Sequence, residues 1–222
     1  MSTRSAETRR KIVEAATQMV IERGYAETTM RAIAQSAGVS VGSAYYYFSG
    51  KEELIQGIYE QIAEETIAEA RRRMKNEPAF GARLQHTVQS YLDVSDRYRS
   101  IADTLLSLAI VPSSSLSPFS PESAPVRDKI TALYKEVVED SDLATDKRLI
   151  PELPQALWLM HMGVTLAWVH DRTEGQRTTR AIVARSLPAL DRLLRLVRVP
   201  VLRPFVKEAI SILRILDGRD KA

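Results

Sequence analysis

Apolar residues recur along this chain at intervals of three and four, the spacing of one face of a helix, and almost never in strict alternation. Ile12, Ala15, Ala16, Met19 and Val20 fall on one side of a helix predicted over 5–23, which Gly24 ends. Thr28 or Thr29 caps a short second helix running to Ala37, with Ile33, Ala34 and Ala37 turned inward. Gly38, Val39 and Ser40 interrupt it, and Ser40 caps a third helix ending near Phe48. After Ser49 and Gly50 a long helix starts near Lys51, carries Leu54, Ile55, Ile58, Ile62 and Ile67, and stops near Asn76, ahead of Pro78. Six more helices with wider apolar faces are expected at 80–97, 99–110, 123–140, 152–172, 175–198 and 201–217. The serine- and proline-rich stretch 112–121 reads as an irregular loop. The pattern predicts an all-α chain in which a small N-terminal three-helix unit is joined by a long helix to a larger helical bundle.

Composition narrows the class. With 222 residues, 45% hydrophobic and 27% charged, the chain has the balance of a soluble globular protein rather than a disordered tail or a fibrous repeat. It has no cysteine, which excludes a disulfide framework, a thiolate metal site and a thiol nucleophile. Its charged start leads into no apolar signal core. The most apolar run, 157–169, contains His161, Gly163 and Thr165 and falls short of the roughly 20 residues a membrane crossing needs. A buried helix, no membrane partner and a cytoplasmic location are expected. The net charge of +3 is unevenly placed: residues 1–51 hold seven Lys or Arg against four Glu, and the remainder holds 24 of each sign. The basic excess therefore lies in the first quarter of the chain.

That quarter carries the chemistry. A helix, a turn containing Gly38 and a short second helix form the layout of a helix-turn-helix over 28–51. Ala34, Ala37, Gly38 and Ala44 are small enough for the two helices to cross closely, and Val39 plugs the corner. On a helical wheel Ala44, Tyr47 and Phe48 share the buried side, Gly42, Ser43 and Tyr46 face away, and Tyr45 sits on one flank. Four consecutive aromatic-rich positions cannot all be buried, so Tyr45 and Tyr46 are expected outside. A helix entering a major groove needs close approach and then groups that touch base edges and phosphates. Thr29, Arg31, Ser40 and Lys51 bracket the outward face with hydroxyls and positive charge suited to phosphate oxygens. Arg9, Arg10 and Lys11 read equally well as a backbone contact or as a solvated helix start.

The run Gly24-Tyr25, Thr29, Arg31, Ile33-Ala34, Ala37-Gly38-Val39-Ser40, Gly42, Tyr45, Tyr47-Phe48, Lys51-Glu52 and Leu54 resembles the DNA-binding domain of the TetR family of bacterial transcriptional regulators over 8–59. The resemblance implies a DNA-binding domain at 1–50, extending into the helix from 51, and a helical ligand-binding and dimerisation domain at 51–222. It implies phosphate contacts from Thr29, Tyr45 and Lys51. A groove-facing surface would comprise Val41, Gly42, Ser43 and Tyr46, and Arg31 would reach a base or a phosphate. It further implies a homodimer on a palindromic operator, assembled through the helices near 152–172 and 175–198, and released from DNA by an unknown small-molecule effector. Two-fold symmetry would then set the recognition helices about 34–36 Å apart.

Other readings are weaker. Gly38-Val39-Ser40-Val41-Gly42 fits a hydrolase nucleophile elbow, but the elbow requires a strand running into a helix, and here a helix precedes it. His161 and His170 fall on opposite sides of one helix, so with His86 they make no shared metal face, and a core histidine is the simpler reading of each. No metal, no cofactor and no enzymatic activity are expected. Tyr91, Tyr98, Leu105, Trp158, Met162 and Trp168 are large, soft side chains of the kind that line an effector pocket, though any helical core contains such residues. An architectural DNA-binding protein without an effector is the alternative to a ligand-released repressor.

Overall fold

The computed structural model describes residues 3–197, 207, 208 and 210–212, and those residues are helical or irregular with no strand among them. In chain order the helices are α1 (Thr3–Glu27), α2 (Met30–Ser36), α3 (Val41–Tyr47), α4 (Lys51–Met74) and α5 (Phe80–Ser95). A 3-10 segment (Asp96–Ile101) then leads into α6 (Ala102–Ala109), followed by α7 (Ala124–Glu139), α8 (Leu153–His170) and α9 (Arg177–Leu196). The expected helix at 201–217 lies largely outside the described residues. Where two helices were expected across 80–110, α5 instead tightens into the 3-10 segment before α6 begins.

The chain forms two compact units. The first comprises 1–64 and 95–126, and the second 65–94 and 127–222. Helix α4 contributes its first 14 residues to one and its remainder to the other.

In the first unit, α1 buries Ile12, Val13, Ala16, Met19 and Val20, the stripe its period demands. Gly24 adopts φ +81° and turns the chain out of the α1 path, a conformation open to glycine without steric penalty. Met30, Ile33, Ala34, Ala44, Phe48, Leu54, Ile55 and Ile58 complete this core, each 6% exposed or less. Burial of each larger side chain stabilises by roughly 1.5–3 kcal/mol. Gly57 belongs to the same core: a Cβ there would lie 2.9 Å from Val13 Cγ2 and 3.3 Å from Phe48 Cε1, so only glycine lets α4 approach this closely. The 112–121 stretch, expected to be irregular, is ordered by its serines. The Ser115 carbonyl accepts from Gln56 Nε2 (2.7 Å), Ser120 Oγ (2.8 Å) and Ser123 Oγ (3.4 Å), while Ser115 Oγ donates to Glu52 (2.8 Å).

The second unit is built around Phe80, Leu84, Val88 and Leu92 of α5, Leu133, Tyr134 and Val137 of α7, Leu157 and Trp158 of α8, and Val183 and Leu187 of α9. Its helix ends are tied by side chains. Asp142 accepts from the Phe80 amide at the start of α5 (3.0 Å) and pairs with Arg195 of α9 (2.8 Å). Asp171 is buried: Oδ1 accepts from the amide and hydroxyl of Thr173, and Oδ2 from the Thr179 amide at 2.7 Å. These donors hold its carboxyl far below the usual carboxylate range.

Candidate nucleic-acid interface

Two side-chain caps and one glycine set the geometry of the α2–α3 pair. Thr29 Oγ1 accepts from the Ala32 amide (3.2 Å) at the start of α2, and Ser40 Oγ accepts from the Ser43 amide (3.0 Å) at the start of α3. Each hydroxyl keeps its proton, so both caps can still donate to a phosphate oxygen. Between them the Ala37, Gly38 and Val39 amides close the end of α2 onto Ile33, Gln35 and Ala34 carbonyls, with Gly38 at φ +67°. The turn thus directs α3 across α2, with Ala34 and Ala44 both fully buried.

Helix α3 then divides as its sequence predicts. Ala44 and Phe48 are buried, while Val41, Gly42, Tyr45 and Tyr46 are exposed and Ser43 is half-buried. Tyr46 is the most exposed of the large side chains here at 80%, against 52% for Tyr45. Its ring meets the edge of Tyr47 at a centroid distance of 5.2 Å, which orients it without covering it. A Cβ at Gly42 would touch only Ser40 Oγ at 4.0 Å, so nothing inside the molecule requires glycine at that position. Tyr47, expected to be wholly inside, is half-buried because its hydroxyl lies 3.2 Å from Ser5 Oγ, linking the end of α3 to the start of α1. Arg31 is exposed and forms no ion pair or hydrogen bond among the described residues, leaving its guanidinium available beside the α3 face.

Lys51, Arg9, Arg10 and Lys11 have partners. Lys51 Nζ donates to the Tyr25 carbonyl (2.8 Å) and lies 4.3 Å from the centre of the Tyr25 ring, fixing the start of α4 against the corner after α1. Two of its three N–H groups remain for an anion. Burial and the nearby Glu52 push the Tyr25 phenol up. Arg9 pairs with Glu60 (2.8 Å) and covers the Phe48 ring at 5.0 Å, a packing role that charge counting does not reveal. Arg10 pairs with Glu14 and Lys11 with Glu7 within α1.

The six expected pocket residues divide between the units. Tyr98 and Leu105 lie buried in the first; Tyr91, Trp158 and Trp168, also buried, and half-buried Met162 lie in the second. Groups of three or more His, Asp or Glu with metal-holding geometry are absent among the described residues.

Comparison with known proteins decides the family. Residues 12–58 match the family described as bacterial regulatory proteins, tetR family, and 83–212 match the tetracyclin repressor-like C-terminal domain. The chain belongs to the TetR family. TetR-family relatives include the HTH-type transcriptional regulator TtgR of Pseudomonas putida, 43% identical over 58 residues, or 26% of this chain and 28% of TtgR. UidR of Escherichia coli is 38% identical over 71 residues, covering 32% of this chain and 36% of UidR. The chain thus spans about a third of the length of these curated relatives. Solved TetR-family structures share the fold over most of the chain. The TetR transcriptional regulator of Nitrosomonas europaea has a TM-score of 0.62 and 18% identity, covering 82% of this chain and 96% of its own. FadR of Thermus thermophilus, solved with lauroyl-CoA, has a TM-score of 0.60 and 22% identity, covering 81% and 93%. No described helix is long and apolar enough to cross a membrane.

Proposed function

We propose that this TetR-family chain is a sequence-specific DNA-binding transcriptional regulator, a repressor that binds a palindromic operator as a homodimer and leaves it when a small molecule binds. The observation that carries the reading is the outward face of α3. There Gly42 is free of any internal constraint, Tyr46 is 80% exposed, and capping hydroxyls and an unengaged Arg31 border the face. Thr29, Arg31, Ser40, Tyr45 and Lys51 hold phosphates or the groove edge; Val41, Gly42, Ser43 and Tyr46 meet base edges. DNA contact belongs to 1–50 and the start of α4, effector binding and dimerisation to 51–222.

Apolar exposure supports the dimer. Gly163, Leu166 and Ala167 of α8 and Ile182, Ala189, Leu193 and Leu196 of α9 are all exposed, with 47–57% exposure at the four large side chains. An α8–α9 face set against its copy would cover them. That FadR of Thermus thermophilus was solved with lauroyl-CoA supports a small-molecule effector for this chain. Because α4 contributes residues to both units, a tilt of α4 on effector binding would change the separation of the two recognition helices. Coupling of about 1–3 kcal/mol would shift operator affinity roughly 5- to 150-fold.

The test is selection of genomic fragments on the purified full chain at about 150 mM salt, where nonspecific phosphate binding is weakened. Enrichment of one palindromic site is expected. Retention of fragments with no common sequence would establish the architectural protein instead.

A further inference from the structure

Gly163 sits where helix α8 has no internal use for a glycine. From Leu157 onward the buried residues of α8 are Leu157, Trp158, His161, Trp168 and Val169. At about 100° per residue each lies roughly 120–160° round the helix from Gly163, which therefore occupies the middle of the outward face. A glycine inside a helix costs stability relative to alanine, yet a Cβ at 163 would meet nothing within 4 Å. Its neighbours on that face are apolar: Leu166, 47% exposed, and exposed Ala167 on one side, half-buried Leu159 and Met160 on the other. Helix α8 contains no Asp, Glu, Lys or Arg, so the face carries no fixed charge.

Helix α9 presents a different surface. Its outward face is centred on Arg185 and Arg192, each roughly 120–180° round the helix from buried Thr179, Val183, Leu187 and Leu194. Both arginines are exposed and form no ion pair or hydrogen bond among the described residues. The one carboxylate of α9, Asp191, is already engaged by Arg195 at 2.9 Å. Exposed Ile182, Ala189 and Leu193 lie to one flank of the arginines, about 40–80° round from Arg185.

In a two-fold dimer the residues nearest the axis face their own copies. Arg185 and Arg192 placed there would meet identical arginines, with no exposed carboxylate on α8 or α9 to separate them, and like charges set against each other repel. Gly163 placed there meets no such penalty, and its missing side chain lets two helices approach to the short end of the roughly 8–10 Å range of packed pairs. Resting on the homodimer reading above, we infer that the two-fold axis passes beside Gly163, where α8 crosses the α8 of a second copy of this chain. Leu159, Met160, Leu166 and Ala167 pack around the crossing. The apolar flank of α9 with Ile182, Ala189 and Leu193 lies against the partner's α8, and Arg185 and Arg192 stay at the solvated rim.

The lack of cysteine makes the test direct, because a single introduced thiol can pair only with its own copy. Gly163→Cys and Arg185→Cys are prepared in the full chain and treated with a mild oxidant. A disulfide needs Cα atoms about 4.4–6.8 Å apart, a separation that a residue reaches with its own copy only beside the axis. Gly163→Cys is expected to yield a covalent dimer that still binds the selected operator, and Arg185→Cys to remain unlinked. As a second measurement, Gly163→Leu should raise the dimer Kd at least about tenfold in sedimentation equilibrium. Its circular dichroism should match wild type, since the space beside Gly163 is open within the chain. Linking of Arg185→Cys alone would put the axis at α9 and overturn the inference. Equal linking of both variants, linking of neither in a chain that sediments as a dimer, or an unchanged dimer Kd in Gly163→Leu would overturn it as well. A wild-type chain that sediments as a monomer would instead sink the homodimer reading itself, so the two failures are distinct.

Discussion

A methyl group at Gly57 would meet Val13 and Phe48 at 2.9 and 3.3 Å, whereas one at Gly42 would meet nothing closer than 4.0 Å. On the proposed groove assignment these two glycines separate folding from recognition. Gly57→Ala should destabilise the protein by about 1–3 kcal/mol through overpacking, read as a lower urea midpoint. Gly42→Ala should leave stability equal or higher by about 0.5–1 kcal/mol, and Gly42→Arg should fold and dimerise while losing specific operator binding. Wild-type operator affinity in Gly42→Arg would remove α3 from the groove. Lys51→Ala should weaken binding to all sequences alike and reduce the salt slope by about one, with some loss of stability because the Tyr25 carbonyl loses its donor. Burial of His161 carries a pH signature. Above its ordinary value of about 6.5 the ring is neutral in both folded and unfolded chains, so stability is full. As pH falls from there towards about 4, the unfolded chain takes up a proton that the native ring refuses. Stability then drops by about 3 kcal/mol, and His161→Phe should flatten this segment of a stability-against-pH curve.

Legibility in the sequence follows how local each determinant is. The caps at Thr29 and Ser40 and the turns at Gly24 and Gly38 act within four residues of themselves, so the first three helices and the exposed side of α3 could be read directly. Determinants that join distant positions could not. Arg9 looked like a free cation because its partners, Phe48 and Glu60, lie 39 and 51 residues on. The 112–121 stretch looked irregular because its order comes from Gln56 and Glu52 of α4. The Tyr134–His161 and Tyr91–Thr165 hydrogen bonds were hidden for the same reason, since each joins two helices. The carboxylate of Asp171 organises the start of α9 through Thr173 and Thr179, the second of them eight residues on. Its depressed pKa gives the sign of a second pH effect. This carboxylate stabilises the fold above its unfolded value of about 3.9, and the contribution is lost as pH falls through the much lower folded value. Asp171→Ala should lower the urea midpoint near neutral pH, and the difference from wild type should shrink in acid.

At the scale of the whole molecule, the chain outside 1–51 is electrically balanced, so attraction to DNA rests on the first quarter, of which the proposed dimer would present two copies. Leu193→Glu, placed in the exposed apolar face of α9, should shift the protein to monomer in sedimentation equilibrium and reduce operator affinity by orders of magnitude, since each half-site then binds alone. A persistent dimer would move the interface elsewhere. The first unit also has an unusual covalent layout: the backbone passes between it and the second unit at 64/65, 94/95 and 126/127. Gln56 and Tyr59 near the end of its first segment bond to Ser115 and Leu105 of its second. A fragment cut at residue 64 would strip those partners away. Chimeric regulators made by swapping only the N-terminal stretch would inherit a reading head without its brace, so a working graft must carry both segments.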